Sequence, residues 1–181
     1  KDYSAEQAPI KELGENHVYF LPYLMGERSP HNNPNARGTF MGLNMNTTRA
    51  EMLRAVMEGT SFALQDNLDQ AIKTGIPIRD FICCGGCSKS DIWLKIKASV
   101  IGQEIKIPSV NLGAPGGLGY MNAAFMGEYK TPEDASRAAL QIKKIVEPVE
   151  EWIPIYKELY QIYLDSYQSL KSQFAALAQI K

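Results

Sequence analysis

The sequence predicts an α/β fold weighted toward helix, and three observations carry the prediction. Residues 80–107 run strand, glycine turn, helix, strand, which is the order of a βαβ unit joining two parallel strands. Residues 48–75 open on a capping-box pattern, carry an apolar stripe at helical spacing and close on Gly75. Past Pro154 the chain reads as one long amphipathic helix.

Composition sets the frame for these elements. A chain of 181 residues, 45% hydrophobic and 22% charged, buries one substantial core or at most two small ones. We therefore read 1–181 as a single domain, with a strand-and-loop region at 16–43, a βαβ core at 47–128 and C-terminal helices at 131–181. Nineteen Lys and Arg against twenty Asp and Glu leave a formal charge of -1, so nothing draws the chain electrostatically to nucleic acid, to a membrane surface or to a polyacidic partner. A small ligand stays open. No apolar run reaches the ~18 residues of a membrane span. Lys1-Asp2-Tyr3 opens polar, without a signal peptide or an initiator Met, which leads us to expect a piece of a longer chain.

Taken in order, His17-Val18-Tyr19-Phe20-Leu21 is a short apolar run stopped by Pro22 and predicts a strand. GERSPHNNPNARG, 26 to 38, has two prolines, three asparagines and no apolar period, so it predicts a surface loop of a length often tied to function. Gly38 to Leu43 offers a second strand. Thr48-Arg49-Ala50-Glu51 then caps a helix whose Met52, Leu53, Val56, Met57, Thr60, Ala63, Leu64, Leu68 and Ile72 recur every three or four residues, until Gly75 and Pro77 end it.

Asp80-Phe81-Ile82-Cys83-Cys84 predicts a strand buried on both faces. After Gly85-Gly86, Ser88 or Ser90 caps a helix carrying Ile92, Trp93, Ile96, Val100 and Ile101, Gly102 stops it, and Glu104 to Ile107 forms the next strand. Gly113-Ala114-Pro115-Gly116-Gly117-Leu118-Gly119 precedes a helical segment through Phe125, its glycines placed for close helix packing. Thr131-Pro132-Glu133-Asp134 caps a further helix with proline in its first turn. In the last helix Tyr156, Tyr160, Tyr163 and Tyr167 share a face with Leu159 and Leu170, and the expectation is packing against the body with hydroxyls reaching water.

Chemistry concentrates at residues 83 to 93. A strand ending in two glycines admits a ligand to the backbone, and the helix N-terminus behind it suits a phosphate or a nucleotide; the competing reading is a tight turn with glycines for steric reasons alone. The GxxxxGK[ST] spacing of a Walker A loop is absent, with Lys89 too early. Cysteines 83, 84 and 87 are odd in number and two are adjacent, which argues against a disulfide framework and for a reducing cytoplasm. Cys84 and Cys87 have CxxC spacing, but no second CxxC or His pair completes a zinc site. Glu27 and Arg28 in the long loop are candidates for phosphate or metal, against the plainer reading of a solvated pair. His17 and His31, the only histidines, lack a triad signature, and Asp66, Asp69 and Asp91 are explained by helix pairing or capping.

These residues form a pattern. Gly38-x-Phe40-x-Gly42-Leu43, seven residues, then Glu51-Met52-x-x-Ala55-Val56-Met57-Glu58 resembles the second signature of the FGGY carbohydrate kinases at every defined position. FLPYLMGERSPHNNPNARG, 20 to 38, is similar to the loop of that family's xylulokinase branch, and GGCSKSDIW, 85 to 93, to its adenine-nucleotide motif GGGxxSxxW. The resemblance extends from about Val18 to the tyrosine-rich helix. It implies the C-terminal actin-like ATPase (ribonuclease H-like) domain, truncated at its N-terminus, with 47–128 as the nucleotide-binding core.

The family transfers the γ-phosphate of ATP, with Mg²⁺, to a sugar hydroxyl that a carboxylate base deprotonates. The resemblance places that base and the sugar site in an N-terminal domain outside these residues, together with a phosphate loop ahead of Lys1. Carried over, Gly85 and Gly86 admit nucleotide phosphate or ribose to the backbone, Ser90 lies near the adenosine, and Ser88 is the less defined fourth member of the set. The expected partners are ATP or ADP and a ketopentose such as D-xylulose held by the rest of the parent chain, with a homodimer open. Gluconate, ribulose or another polyol is the alternative substrate, and a non-catalytic nucleotide-binding or regulatory module the alternative function. Cys87 stands in place of the usual third glycine, Ser99 in place of an acid, and Tyr120 where a small residue is usual.

Overall fold

The computed structural model describes residues 4–10, 18–110 and 113–180; His17, read as the start of the first strand, lies outside them. A short helix α1 (Ser4–Gln7) precedes a hairpin of β1 (Tyr19–Leu21) and β2 (Thr39–Met41), antiparallel with Phe20 opposite Phe40. The long helix α2 (Arg49–Lys73) begins at the capping box: Thr48 Oγ1 accepts from the Glu51 amide, and Glu51 accepts from the Thr48 amide. A 3-10 turn (Gly86–Lys89) leads into α3 (Asp91–Ile101), which Gly102 ends in the left-handed conformation. Then come β3 (Ile105–Pro108), α4 (Gly113–Phe125), α5 (Pro132–Ala139), β4 (Ile142–Val146) and α6 (Trp152–Leu177). Thr131 Oγ1 accepts from the Asp134 amide with Pro132 in the first turn, as the sequence requires of α5.

Two main apolar clusters hold these parts, with a third, smaller one of Val18, Phe20 and Ala55 between the first hairpin and α2. Leu21, Tyr23, Met57, Phe62, Ile96, Tyr156, Tyr163, Tyr167 and Phe174 form the larger, where the first hairpin, α2, α3 and α6 meet. Leu94, Ala98, Ile105, Ile107 and Val146 form the smaller, between α3 and the β3–β4 pair. No helix among the described residues is long and apolar enough to cross a membrane.

Four expectations are corrected. The run Asp80–Cys84 makes a single parallel bridge, Ile82 to Lys106, with the Cys83 amide donating to Lys106 O and the Lys106 amide to Phe81 O. The βαβ order is present, but Ile82 and Cys84 are exposed, so the segment is covered on one face only. The glycine-rich stretch lies inside α4 rather than before it, and a Cβ added at Gly117 or Gly119 would meet nothing within 4 Å, so close packing is not their reason. The region 131–181 holds a strand as well as helices: β4 pairs antiparallel with β3.

The tyrosine stripe packs as expected, but each of its hydroxyls is bonded to a side chain of the protein rather than left to water alone. Tyr163 Oη lies 2.7 Å from Tyr23 Oη, Asn33 Nδ2 donates to Tyr167 Oη at 3.1 Å, Tyr156 Oη donates to Glu58 at 3.1 Å and Tyr160 Oη to Asp69 at 2.8 Å. Burial first, then these neighbours, raises the Tyr156, Tyr160 and Tyr163 phenols well above their ordinary range. The long loop 26–38 is thus clasped to α6, with the His31 ring stacked on Tyr167 at 3.7 Å between centroids.

Candidate functional site

The site is built on the link between residues 83 and 93. Gly85 has φ 86° and ψ -163°, a backbone region that only glycine occupies without strain, so the turn itself demands a glycine there. Gly86 has no positive φ among the described residues, and a Cβ on it would meet nothing within 4 Å. Neither conformation nor packing within this chain requires glycine at 86. What its missing side chain leaves is open space over the backbone.

The serines divide the work of ordering that turn. Ser88 Oγ donates to Gly85 O at 2.7 Å and closes the 3-10 turn on itself. Ser90, 7% exposed, is the N-cap of α3: its Oγ accepts from the Trp93 amide and donates to Gln7 Oε1 at 2.7 Å. All four sequence-predicted residues, Gly85, Gly86, Ser88 and Ser90, therefore fall on one turn at the positive end of a helix. Asp91 sits at the same end and is paired with Lys144 at 2.7 Å.

Cys87 and Lys97 complete the surroundings. Cys87 Sγ lies 3.4 Å from Cys83 Sγ across the two glycines, and all three cysteines are free thiols. Lys97 Nζ sits 4.8 Å over the Trp93 ring and faces Cys87. Cys84, at CxxC spacing from Cys87, is exposed; the turn instead brings together Cys83 and Cys87, four residues apart. Among the described residues no three His, Cys, Asp or Glu side chains converge on a metal position.

The departures from the family pattern have definite places. Ser99 is fully buried, donates to Lys95 O at 2.7 Å and accepts from the Val149 amide at 2.9 Å, so it ties α3 to the chain after β4. Glu27 accepts from the Ser29 amide within its own loop, and Arg28 is exposed.

A separate open cleft of about 330 Å³ lies between the long loop, α2 and α6, lined by His31, Asp66, Asp69, Lys73, Tyr160 and Asp165 among others. It contains none of Gly85, Gly86, Ser88 or Ser90, and three carboxylates on its wall do not suit a polyphosphate. His31 Nε2 stands 3.2 Å from Asp66 Oδ2, off hydrogen-bond geometry, and 3.3 Å from Tyr23 Oη. Burial lowers the His31 pKa below the ordinary imidazole value, outweighing the Asp66 charge.

The family model for the "FGGY family of carbohydrate kinases, C-terminal domain" matches residues 1–128. A curated xylulose kinase of Staphylococcus epidermidis is 31% identical over 173 residues, covering 96% of this chain and 35% of that protein. Among solved structures, a "xyloylose kinase" from Brucella ovis superposes with a TM-score of 0.84 at 30% identity, over 94% of this chain and 35% of its own. A gluconate kinase from Lactobacillus acidophilus gives a TM-score of 0.84 at 26% identity, over 96% and 35%. The chain thus spans about a third of the length of the relatives it matches.

Proposed function

The chain belongs to the FGGY family of carbohydrate kinases, as its C-terminal domain with the actin-like ATPase fold, and from that premise we propose that it is the nucleotide-binding part of an ATP-dependent sugar kinase. The observation that carries the reading is Gly86, a glycine that neither the turn nor the packing requires and that opens the backbone where a helix begins. A phosphate or ribose approaching there meets main-chain atoms directly, and the positive end of α3 favours its charge. Gly85 sets the turn, Ser88 closes it, and Ser90 holds the first turn of α3 in place beside the adenosine.

In this reading Mg²⁺ arrives on the ATP phosphates, and the base that takes the proton from the sugar hydroxyl belongs to the remainder of the parent chain. The acceptor we propose is a ketopentose, D-xylulose, supported by the xylulose kinases among the relatives. Exposed apolar side chains on α4, Leu118, Met121 and Phe125, are consistent with a surface that the rest of the parent covers.

The test is ATP consumption by the full-length parent against D-xylulose, D-ribulose, gluconate and glycerol, with this chain alone as control. Turnover greatest on D-xylulose supports the assignment. Turnover on another acceptor corrects the sugar, and nucleotide binding without turnover makes the domain a regulatory module. Gly86→Asp in the parent places a side chain and a negative charge in the open space, and is expected to weaken ATP binding at least about tenfold, or ~1.4 kcal/mol.

A further inference from the structure

We propose that Cys83 and Cys87 are an oxidative modification site, closed by a hydroperoxide into a disulfide across the Gly85–Gly86 turn. The two Sγ atoms already lie 3.4 Å apart in the reduced chain. Bonding at about 2.05 Å asks for a closure of little more than ~1 Å. Two of the three residues between are glycines, and a Cβ at either Gly85 or Gly86 would meet nothing within 4 Å, so the turn has room to tighten.

The pair is also chemically asymmetric. Lys97, steadied over the Trp93 ring, faces Cys87, and Cys87 is only partly buried. Burial opposes the Cys87 thiolate, but the hydrogen bond from Cys83 and the Lys97 charge outweigh it and hold its pKa below that of an ordinary thiol. Burial, and then the Cys87 contact, pushes Cys83 up to about 11. Cys87 is therefore the attacking sulfur and Cys83 the resolving one.

The Cys87 thiolate attacks one oxygen of hydrogen peroxide, the O–O bond breaks, and hydroxide leaves to take up a proton as water; Cys87 becomes a sulfenic acid. The Cys83 sulfur then attacks the Cys87 sulfur, the S–O bond breaks, and the Cys83 proton leaves with the hydroxyl as a second water. Two thiols are oxidised by two electrons, and one peroxide is reduced to two waters. The consequence for ligand binding rests on the nucleotide reading of this turn, because the disulfide pins Cys87 against the backbone that Gly86 leaves open; the chemistry does not rest on it.

The experiment is dilute hydrogen peroxide on this chain, followed by thiol titration, intact mass and peptide mapping. Expected is a fall from three free thiols to one, a mass loss of two hydrogens without dimer, a Cys83–Cys87 cross-linked peptide, and reversal by dithiothreitol. Cys84→Ser should retain the cross-link, Cys87→Ser should abolish it, and Cys83→Ser should leave a dimedone-reactive sulfenic acid at Cys87. Persistence of all three thiols, a cross-link through Cys84, or a bond between two copies would overturn the proposal. Failure of the nucleotide reading shows separately, as unchanged ATP affinity in the reduced Gly86→Asp parent.

Discussion

A Cβ placed on Gly59 would lie 2.0 Å from the carbonyl oxygen of Phe20, so α2 and β1 meet backbone to backbone at that point. Gly59→Ala must force the two apart, at a cost of roughly 1–3 kcal/mol or more, which exceeds the gain of up to ~1 kcal/mol from alanine's helix preference. Gly117→Ala, at a helical position with open space around it, should instead add about 0.5–1 kcal/mol. Urea unfolding midpoints measure both; an unchanged midpoint for Gly59→Ala would contradict the contact.

Arg54 and Glu58 form a buried ion pair at 2.8 Å, and Tyr156 donates to the same Glu58 oxygen. Burial raises the Glu58 pKa, with Arg54 pulling the other way. Arg54→Met strands the carboxylate and should cost about 3–5 kcal/mol, while adding Glu58→Leu removes the stranded charge and should recover part of that loss. A double-mutant cycle read by denaturant unfolding decides it, and additive losses would mean that the two side chains do not act as a pair.

His31 gives a pH dependence with a defined sign. Its folded pKa lies below the unfolded value of ~6.5, so the fold favours neutral imidazole; this stability is present above that value and is lost as pH falls through the folded pKa. The melting temperature should decline on going from about pH 7 to 5.5, and His31→Phe, which keeps a ring against Tyr167, should flatten the decline. Parallel pH profiles for the two proteins would count against the assignment.

Tyr160→Ala separates stability from ligand binding. It removes a half-buried ring packed near Phe62 and Tyr163 together with the bond to Asp69. A loss of about half the ~3–5 kcal/mol of a fully buried aromatic is expected. ATP affinity of the folded parent should stay constant, the reverse of the pattern for Gly86→Asp. A matching drop in ATP affinity would connect α6 to the nucleotide.

Helix ends were legible because single residues dictate them: Thr48 with Glu51, Gly102, and Thr131 with Pro132 each do what local chemistry requires. β4 was not, because four of its five residues are exposed and its Lys143 and Lys144 break any apolar pattern. The run Phe81 to Cys84 misled in the opposite sense, since its composition reads as doubly buried while Ile82 is 47% exposed. At the site, the glycines and the cap were readable, but the Cys83–Cys87 approach depends on the 3-10 turn, which spacing alone does not announce. The fate of the tyrosine hydroxyls needed partners 91 to 140 residues away, beyond the reach of any local pattern.

The clasp between the long loop and α6 also bears on how the chain is made. Tyr23 meets Tyr163 across 140 residues, and Asn33 meets Tyr167 across 134. At a synthesis rate of about 5–20 residues per second, the loop waits on the order of ten seconds for the helix that seats it. The β1–β2 hairpin therefore stays unfinished until α6 has been made, and a truncation within α6 would unseat the loop 26–38 as well as shorten the helix.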